Sequence, residues 1–422
     1  MASQGIGIIG CGGVGQGVLE ILQTRAASLE AAAGPFELVG VAVRDALKKR
    51  PPLAPGLLKT VDALLNDPKV AILVEVAGGV DAPFQWVTQA LKAQKAVVTA
   101  NKALLAERAE ELHPYLSAPG ARLYCEAAVA GGIPIIHALD RGLVANRILK
   151  IEGILNGTCN YILTLMERDR LSFQDALKQA QAKGFAEADP TLDISGGDAA
   201  HKLAVLAGLA LGLPVPLSRV AVEGIERITA FDLQWADAHG FRIKMLAHGR
   251  FDEDAVELRV HPTLVSRTRL LSQVMDEFNA VVIEGDLTGP QLYEGRGAGR
   301  MSTASAVVSD IVQALRGEPM LRTHPKSGGT VRFKPMAEVV SRHYVHLEVI
   351  DRPGVVASVA RALAAHGISI ASMFQPEVDH GSQVPLVFTT HPAAESKIGA
   401  ALKEMGQEPF LIGQPVHIRV ES

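Results

Sequence analysis

The hexapeptide Gly10-Cys11-Gly12-Gly13-Val14-Gly15 follows the apolar run Ile6-Gly7-Ile8-Ile9 and opens a helical pattern over residues 14–28. Strand, glycine turn and helix in that order leave few folds open. Glycine permits the tight turn and lets a ligand approach the backbone. The helix N-terminus behind it offers free N–H groups and partial positive charge, which suit a pyrophosphate. A GxGxxG string alone is often a bare turn, but this context marks a dinucleotide site contacted by Gly10, Gly12, Gly13, Val14 and Gly15. The second strand ends Val41-Ala42-Val43-Arg44-Asp45. An acid there would hold the ribose 2′-OH of NAD, whereas Arg44 would hold the 2′-phosphate of NADP. With Lys48, Lys49 and Arg50 close behind, local charge favours NADP, with NAD as the alternative and a solvated basic turn as the bland one.

Short apolar runs at 6–9, 36–43, 70–76, 96–99 and 122–125 alternate with helical patterns at 14–28, 61–65, 83–93 and 104–116. That alternation predicts βαβ units and a Rossmann-type parallel sheet. From residue 148 the pattern changes. Strands at 148–155, 243–250, 257–261 and 281–285 mix with helices near 161–168, 173–183 and 198–211, as in an α+β substrate and dimerisation domain. A helix at 302–315 is expected to return to the first domain. A Gly-, Pro- and Arg-containing segment follows as a linker. The last 80 or so residues then read strand 344–350, helix 355–365, strands 368–374 and 384–390, helix 393–405 and strand 416–420. That βαββαβ order is the ferredoxin-like arrangement. The expected division is 1–135 with 300–318 for the dinucleotide, 136–299 for substrate, 319–341 as linker and 342–422 as the last domain.

The second informative stretch runs from Glu187 to Lys202. Asp198 and Lys202 are four apart and share a helix face. An exposed ion pair is the ordinary reading, but residues 203–218 contain no charge at all. A surface helix would repeat its polar face every three or four residues. This helix is therefore expected to be buried, with its charges gathered at the entry. Hydride transfer to a carbonyl creates an alkoxide, which a lysine ammonium can stabilise and protonate. Lys202 fits that task, with Asp198 holding it, and Glu187 and Asp193 could pair with a substrate amino group. Lys102, in Thr99-Ala100-Asn101-Lys102, falls just after a predicted parallel strand at the edge where ligands of open sheets bind. On its own it reads more readily as an ordinary helix-start lysine.

Charge and cysteine usage exclude several classes. The net charge is −4 and the strongest basic run is Lys48-Lys49-Arg50, so nucleic acid is not an expected partner. The first residues lack a basic region followed by a long apolar run, and the apolar stretch at 203–218 is interrupted by Gly208, Gly212, Pro214 and Pro216. A cytoplasmic, non-membrane protein is expected. Cys11, Cys125 and Cys159 form neither a disulfide framework nor a CxxC site, and the 13 histidines show no HExxH spacing. The rival activity is an aldehyde dehydrogenase working through a thioester on Cys125 or Cys159. A non-catalytic ligand sensor built on the last domain is the rival of a different class.

Six segments carry a family resemblance. They are GIGIIGCGGVG, VTANKALLA from Val98, YCEAAVAGGIPII from Tyr124, GILNGTCNYIL from Gly153, EADPTLDISGGDAAHKLAVLA from Glu187 and YEGRGAGRMSTASAVVSD from Tyr293. In content and order the chain resembles the monofunctional homoserine dehydrogenases with a C-terminal ACT domain, over essentially its whole length. The resemblance implies NAD(P)H-dependent reduction of L-aspartate 4-semialdehyde to L-homoserine, on the way to threonine and methionine, by a homodimer or homotetramer. It implies Lys202 and Lys102 as catalytic lysines, Asp198, Glu187 and Asp193 at the substrate, and the turn Asn156-Gly157-Thr158 lining its pocket. It implies Gly297 and Gly299 beside the cofactor, and a structural sodium held by Glu126 and the carbonyls of Val129, Gly131 and Ile133. The turn Val76-Ala77-Gly78-Gly79 departs from the more polar turn of many relatives. Asp351-Arg352-Pro353-Gly354-Val355 and Gly367-Ile368-Ser369-Ile370 resemble ACT-domain features, which implies an amino-acid effector; threonine, the pathway product, is the expected one.

Overall fold

The computed structural model describes residues 3–43, 56–319, 331–377 and 383–421, which form two compact units. The expected cofactor residue Arg44, with Lys48, Lys49 and Arg50, lies outside the described residues.

The first unit comprises residues 1–157, 198–220 and 277–330. Its parallel sheet contains β1 (Gln4–Ile9), β2 (Phe36–Ala42), β3 (Leu58–Lys59), β4 (Val70–Glu75), β5 (Ala96–Thr99) and β6 (Leu123–Tyr124), in the order β3-β2-β1-β4-β5-β6. This is the doubly wound Rossmann order, with the chain reversing direction of travel at β1. Strands β1, β4 and β5 are buried on both faces, which explains their continuous apolar runs. In register, Ile9 lies beside Glu75 and Glu75 beside Thr99. The loops after these three strands therefore leave from one edge at one level.

The expected helix over 14–28 is two helices, Gly13–Thr24 and Ala26–Ala33, because Arg25 leaves helical geometry. The expected helix over 104–116 likewise breaks at Arg108, whose guanidinium stacks 4.1 Å over the Phe84 ring. Helix Arg300–Leu315 packs on Gly13–Thr24, where a Cβ on Gly17 would lie 2.8 Å from that of Ala304. A second, antiparallel sheet in this unit joins Ile148–Ile154, Phe278–Gly285 and Gly289–Arg296. The last of these was not expected. It begins Gly289-Pro290 and lies half-exposed at an edge, where a proline lacking its N–H is tolerated.

The second unit comprises residues 158–197, 221–276 and 331–422. Its C-terminal four strands stand in the order Leu411–Glu421, Val340–Ile350, Gln383–Thr390, Ile370–Phe374, all antiparallel. That is the fourth-first-third-second order of the ferredoxin-like βαββαβ fold. Val345, Leu347, Val359, Leu363, Leu386, Phe388, Ile398 and Met405 form its buried core under helices Val355–Ala365 and Glu395–Met405. This sheet is not isolated. Leu411–Glu421 pairs in parallel with Val256–Ser266, which pairs antiparallel with Phe241–Phe251. Within the expected linker, Arg332 and Lys334 bond the backbone of Val256.

A buried carboxylate fastens the C-terminal strands to helix Ala230–Ala238. Asp232 accepts from Thr229 N and Oγ1 (2.8 and 2.6 Å) through one oxygen, closing a capping box. Its other oxygen takes Tyr344 Oη and His346 Nδ1, each at 2.8 Å. Burial alone would lower the His346 imidazolium; its bond to Asp232 reverses this and leaves it raised. We predict that Asp232→Ala destabilises this unit by about 3 kcal/mol or more, since it strands buried polar groups. Urea titration followed by Trp235 fluorescence checks this, as that ring lies 4.7 Å from Tyr344. The loss should be largest below the usual histidine pKa and shrink as pH rises through the raised one, where the His346 contribution disappears in the native chain.

Candidate active site

The glycine turn is built as its composition demands. Gly10 has φ of +108°, and a Cβ there would lie 2.6 Å from the carbonyl of Val76. A Cβ on Gly15 would lie 2.3 Å from Gly10 O. At Gly12 and Gly13, by contrast, a Cβ would meet nothing within 4 Å. Two glycines thus allow chain to pack on chain, and two leave an open face at the start of helix Gly13–Thr24. Gly12 caps that helix without a side-chain bond, and no acidic residue occupies its first turn. The residues fit a dinucleotide pyrophosphate.

The charged cluster lies in the same unit. Asp198 is buried, and Lys202 Nζ stands 2.7 Å from its Oδ2. Lys102 Nζ reaches its Oδ1 at 3.2 Å. Asn156 Nδ2 donates to Oδ2 at 2.8 Å, and Lys202 also donates to Leu155 O at 2.6 Å. Burial would raise the Asp198 carboxyl, but Lys202, Lys102 and the hydrogen bonds hold it well below the usual carboxylate range. One carboxylate thus serves two ammonium groups, and the cluster keeps a net positive charge. Helix Gly197–Leu211 is buried almost all round, as its uncharged run implied. Lys102, which sequence alone left as a helix-start lysine, is brought to the same carboxylate.

The acids expected at the substrate, Glu187 and Asp193, belong to the second unit. The Thr158 hydroxyl shares its one proton between Phe185 O at 2.7 Å and Asp193 Oδ2 at 3.2 Å, while Glu187 is exposed. Gly157 begins helix Gly157–Asp169 where a Cβ would lie 2.6 Å from Glu277 O.

In the expected cation loop Glu126 is buried. Its carboxylate accepts from Ile136 N (2.9 Å) and His137 N (2.7 Å), with His137 Nδ1 at 3.2 Å. Burial pushes it up to about 7, against the opposing pull of His137. Ala130 and Gly131 are both left-handed, and a Cβ on Gly131 would lie 2.6 Å from Gly297 O. Gly132 N donates to Arg296 O, and Ile133 O accepts from Ile135 N. Gly299, with φ of +121°, caps helix Arg300–Leu315.

Three groups escaped sequence reasoning. His201, beside Lys202, is buried with Nε2 3.5 Å from Glu107 Oε1, and burial lowers its pKa. Asn279 is buried against Gly297, with neither amide atom hydrogen-bonded among the described residues. Glu75 ends a buried strand; a charge in an otherwise apolar run was its available signal. The thioester alternative loses its nucleophile. Burial, reinforced by Asp310, Glu126 and Asp140, pushes the Cys125 thiol well up, and Cys159 is buried with Sγ 3.2 Å from Asp193 O.

Family comparison decides the identity. The family model "Homoserine dehydrogenase, NAD binding domain" matches residues 10–126, "Homoserine dehydrogenase" matches 134–312, and "ACT domain" matches 343–410. The homoserine dehydrogenase of Helicobacter pylori is 40% identical over 421 residues, covering 99% of each chain. That of Pseudomonas aeruginosa is 39% identical, covering 99% of this chain and 98% of the relative. The chain belongs to the homoserine dehydrogenase family. Among solved structures, the Thiobacillus denitrificans homoserine dehydrogenase superposes with a TM-score of 0.93 at 42% identity, covering 100% of this chain and 99% of that one. A hyperthermophilic archaeal homoserine dehydrogenase in complex with NADPH has a TM-score of 0.64 at 26% identity, covering 76% of this chain and 100% of that one. As a member of this family the chain is an oxidoreductase of the CH–OH group, with a nicotinamide-binding Rossmann-type sheet and a C-terminal ACT domain. No helix among the described residues is long and apolar enough to cross a membrane.

Only Cys11, in the glycine turn, is partly exposed; Cys125 and Cys159 are buried. Native protein should therefore react with a thiol reagent first at Cys11, and NADPH should slow that reaction. Peptide mapping after brief alkylation checks both points; labelling of Cys125 at the same rate would contradict the burial.

Proposed function

We propose that the enzyme reduces L-aspartate 4-semialdehyde to L-homoserine, with Lys202 as the proton donor. The observation that carries this is the single Asp198 carboxylate shared by two ammonium groups. When bound, a reduced nicotinamide supplies the hydride to the aldehyde carbon. Lys202 Nζ stabilises the negative charge that then develops on the carbonyl oxygen and delivers a proton to it. Asp198 holds Lys202 in place, while Lys102, with a side chain 37% exposed, adds positive charge at the cofactor edge. In this reading Glu187 and Asp193 receive the substrate's amino group, the turn Asn156-Gly157-Thr158 lines its pocket, and Gly297 and Gly299 approach the cofactor.

NADP is the preferred cofactor in this proposal, with Arg44 and its basic neighbours reading the 2′-phosphate; the archaeal relative solved with NADPH supports that choice. A monovalent cation, sodium, would sit at Glu126 with the carbonyls of Val129, Gly131 and Ile133. A buried carboxylate on a loop with two successive left-handed residues fits it, and its contribution there is structural. Residues 1–135 with 300–318 form the cofactor part, 136–299 the substrate and dimerisation part, 319–341 the linker and 342–422 the regulatory part of a cytoplasmic homodimer or homotetramer.

Lys202→Ala should lower kcat on the order of 10²–10³-fold while NADPH still binds. Stopped-flow turnover together with NADPH fluorescence titration tests this, and a rate within a few-fold of the native enzyme would sink the assignment.

Threonine is the proposed effector of the ACT domain. Gly354, in the left-handed region, caps helix Val355–Ala365, and Gln375 Nε2 bonds Asp351 Oδ1 at 3.0 Å beside it. Because the ACT strands share a sheet with Val256–Ser266, deleting them would damage the rest of the unit. A point variant is the cleaner probe. Asp351→Ala should abolish threonine inhibition and leave turnover without threonine unchanged. Equal inhibition of both proteins would place threonine in the catalytic pocket instead.

A further inference from the structure

Strands β4 and β5 end side by side at Glu75 and Thr99, and a hydrogen-bond chain runs across their ends. Asn101 N donates to Thr99 Oγ1 at 3.0 Å. Thr99 Oγ1 donates to Glu75 Oε2 at 2.7 Å. Glu75 Oε1 accepts from Ala77 N at 2.9 Å. The Asn101 side chain completes the ring: Nδ2 donates to Gly79 O at 2.7 Å, and Oδ1 accepts from Leu104 N at 3.1 Å, capping the helix that begins at Lys102. Glu75 and Thr99 are fully buried, and among the described residues no ion pair involves Glu75.

The direction of this chain matters. The Asn101 N–H points at Thr99 Oγ1, and the Thr99 hydroxyl and the Ala77 N–H both point at Glu75, which accepts twice. Two carboxylate oxygens satisfy this, whereas an amide that kept the bond from Ala77 N would turn its N–H towards Thr99 Oγ1 and force the hydroxyl proton away to another acceptor. A buried carboxylate is costly to keep for packing alone. What it joins are two turns, 76–79 and 99–102. The first abuts the glycine loop, where a Cβ on Gly10 would lie 2.8 Å from Ala77 N. The second carries Lys102, whose ammonium reaches Asp198.

We propose that Glu75, Thr99 and Asn101 are positioning residues for the reaction: their one-way hydrogen-bond chain locks the turn at 76–79 to the turn at 99–102 and so fixes Lys102 against Asp198 and the glycine loop. This rests on the reading of the lysine cluster given above, and goes beyond it by naming what holds Lys102 in place.

The test uses the full-length enzyme oxidising L-homoserine, so that it does not depend on the direction of the physiological reaction. Thr99→Val removes both bonds of the hydroxyl while keeping shape, and should lower kcat on the order of 10- to 100-fold, as expected for a displaced catalytic group. Thr99→Ser restores the hydroxyl and should return kcat close to the native value. Glu75→Gln should behave like Thr99→Val. The double variant Thr99→Val/Lys102→Ala should be scarcely slower than Lys102→Ala, because the network acts through that lysine. NADPH affinity by fluorescence should weaken in Thr99→Val and recover in Thr99→Ser. If Thr99→Val does not fold, Asn101→Ser carries the same test, since serine still caps the helix but cannot reach Gly79 O. A native kcat in Thr99→Val, or effects of Thr99→Val and Lys102→Ala that multiply in full, would overturn the proposal. Failure of the lysine reading is distinct and would show as a native rate in Lys202→Ala.

Discussion

Asp198 is the constraint on which the first unit depends. Two ammonium groups within 3.2 Å of one buried carboxylate would repel each other without it, and the buried Lys202 would also face an uncompensated desolvation cost. The carboxylate pairs with both and still leaves positive charge over. An anion forming nearby would meet a field already in place, in surroundings that screen it little. The arrangement needs three pieces of chain at once. The Gly197–Leu211 helix supplies Asp198 and Lys202 on one face, the segment after Ile148–Ile154 supplies Leu155 O and Asn156, and the end of β5 supplies Lys102. None of the three is close to the others in sequence, so the cluster exists only when the unit is folded.

Close backbone approach packs the loops of this unit together. At Gly10 the chain lies against Val76, at Gly131 against Gly297, and at Gly157 against Glu277, each closer than a Cβ would allow. These glycines serve packing between loops, which is different from the role of Gly12 and Gly13 on the open face. A glycine-rich string in the sequence does not distinguish the two uses; only the neighbours do.

The parallel sheet was legible because buried strands write themselves as apolar runs, and the C-terminal domain because its βαββαβ order repeats cleanly. Burial of helix Gly197–Leu211 could be read from its missing charges, and Lys202 with Asp198 from their spacing. The edge strand Gly289–Arg296 was not legible, since a half-exposed edge lacks both alternation and an apolar run. Breaks at Arg25 and Arg108 were hidden because arginine is a good helix former; at Arg108 the guanidinium reaches Phe84 and Asp81, which are distant in sequence. Lys102 was ambiguous for a related reason: its partner is 96 positions away in the chain, and local sequence cannot report a distant carboxylate.

The second unit shows why the ACT domain here cannot be treated as an appendage. Val340–Ile350 is a strand of the ACT fold, and its Tyr344 and His346 both end on Asp232, the residue that also closes the cap of helix Ala230–Ala238. On the neighbouring strand, Arg419 is buried between Glu395, 2.7 Å away on the second ACT helix, and Glu223, 2.7 Å away outside the ACT fold. Apart from Glu223, whose side chain is 47% exposed, these groups are buried and hydrogen-bonded, so a shift in the strand must either carry the helix with it or break several hydrogen bonds together. Coupling between an ACT ligand and the rest of the unit therefore has a physical carrier, provided the ligand favours one setting of that strand over another.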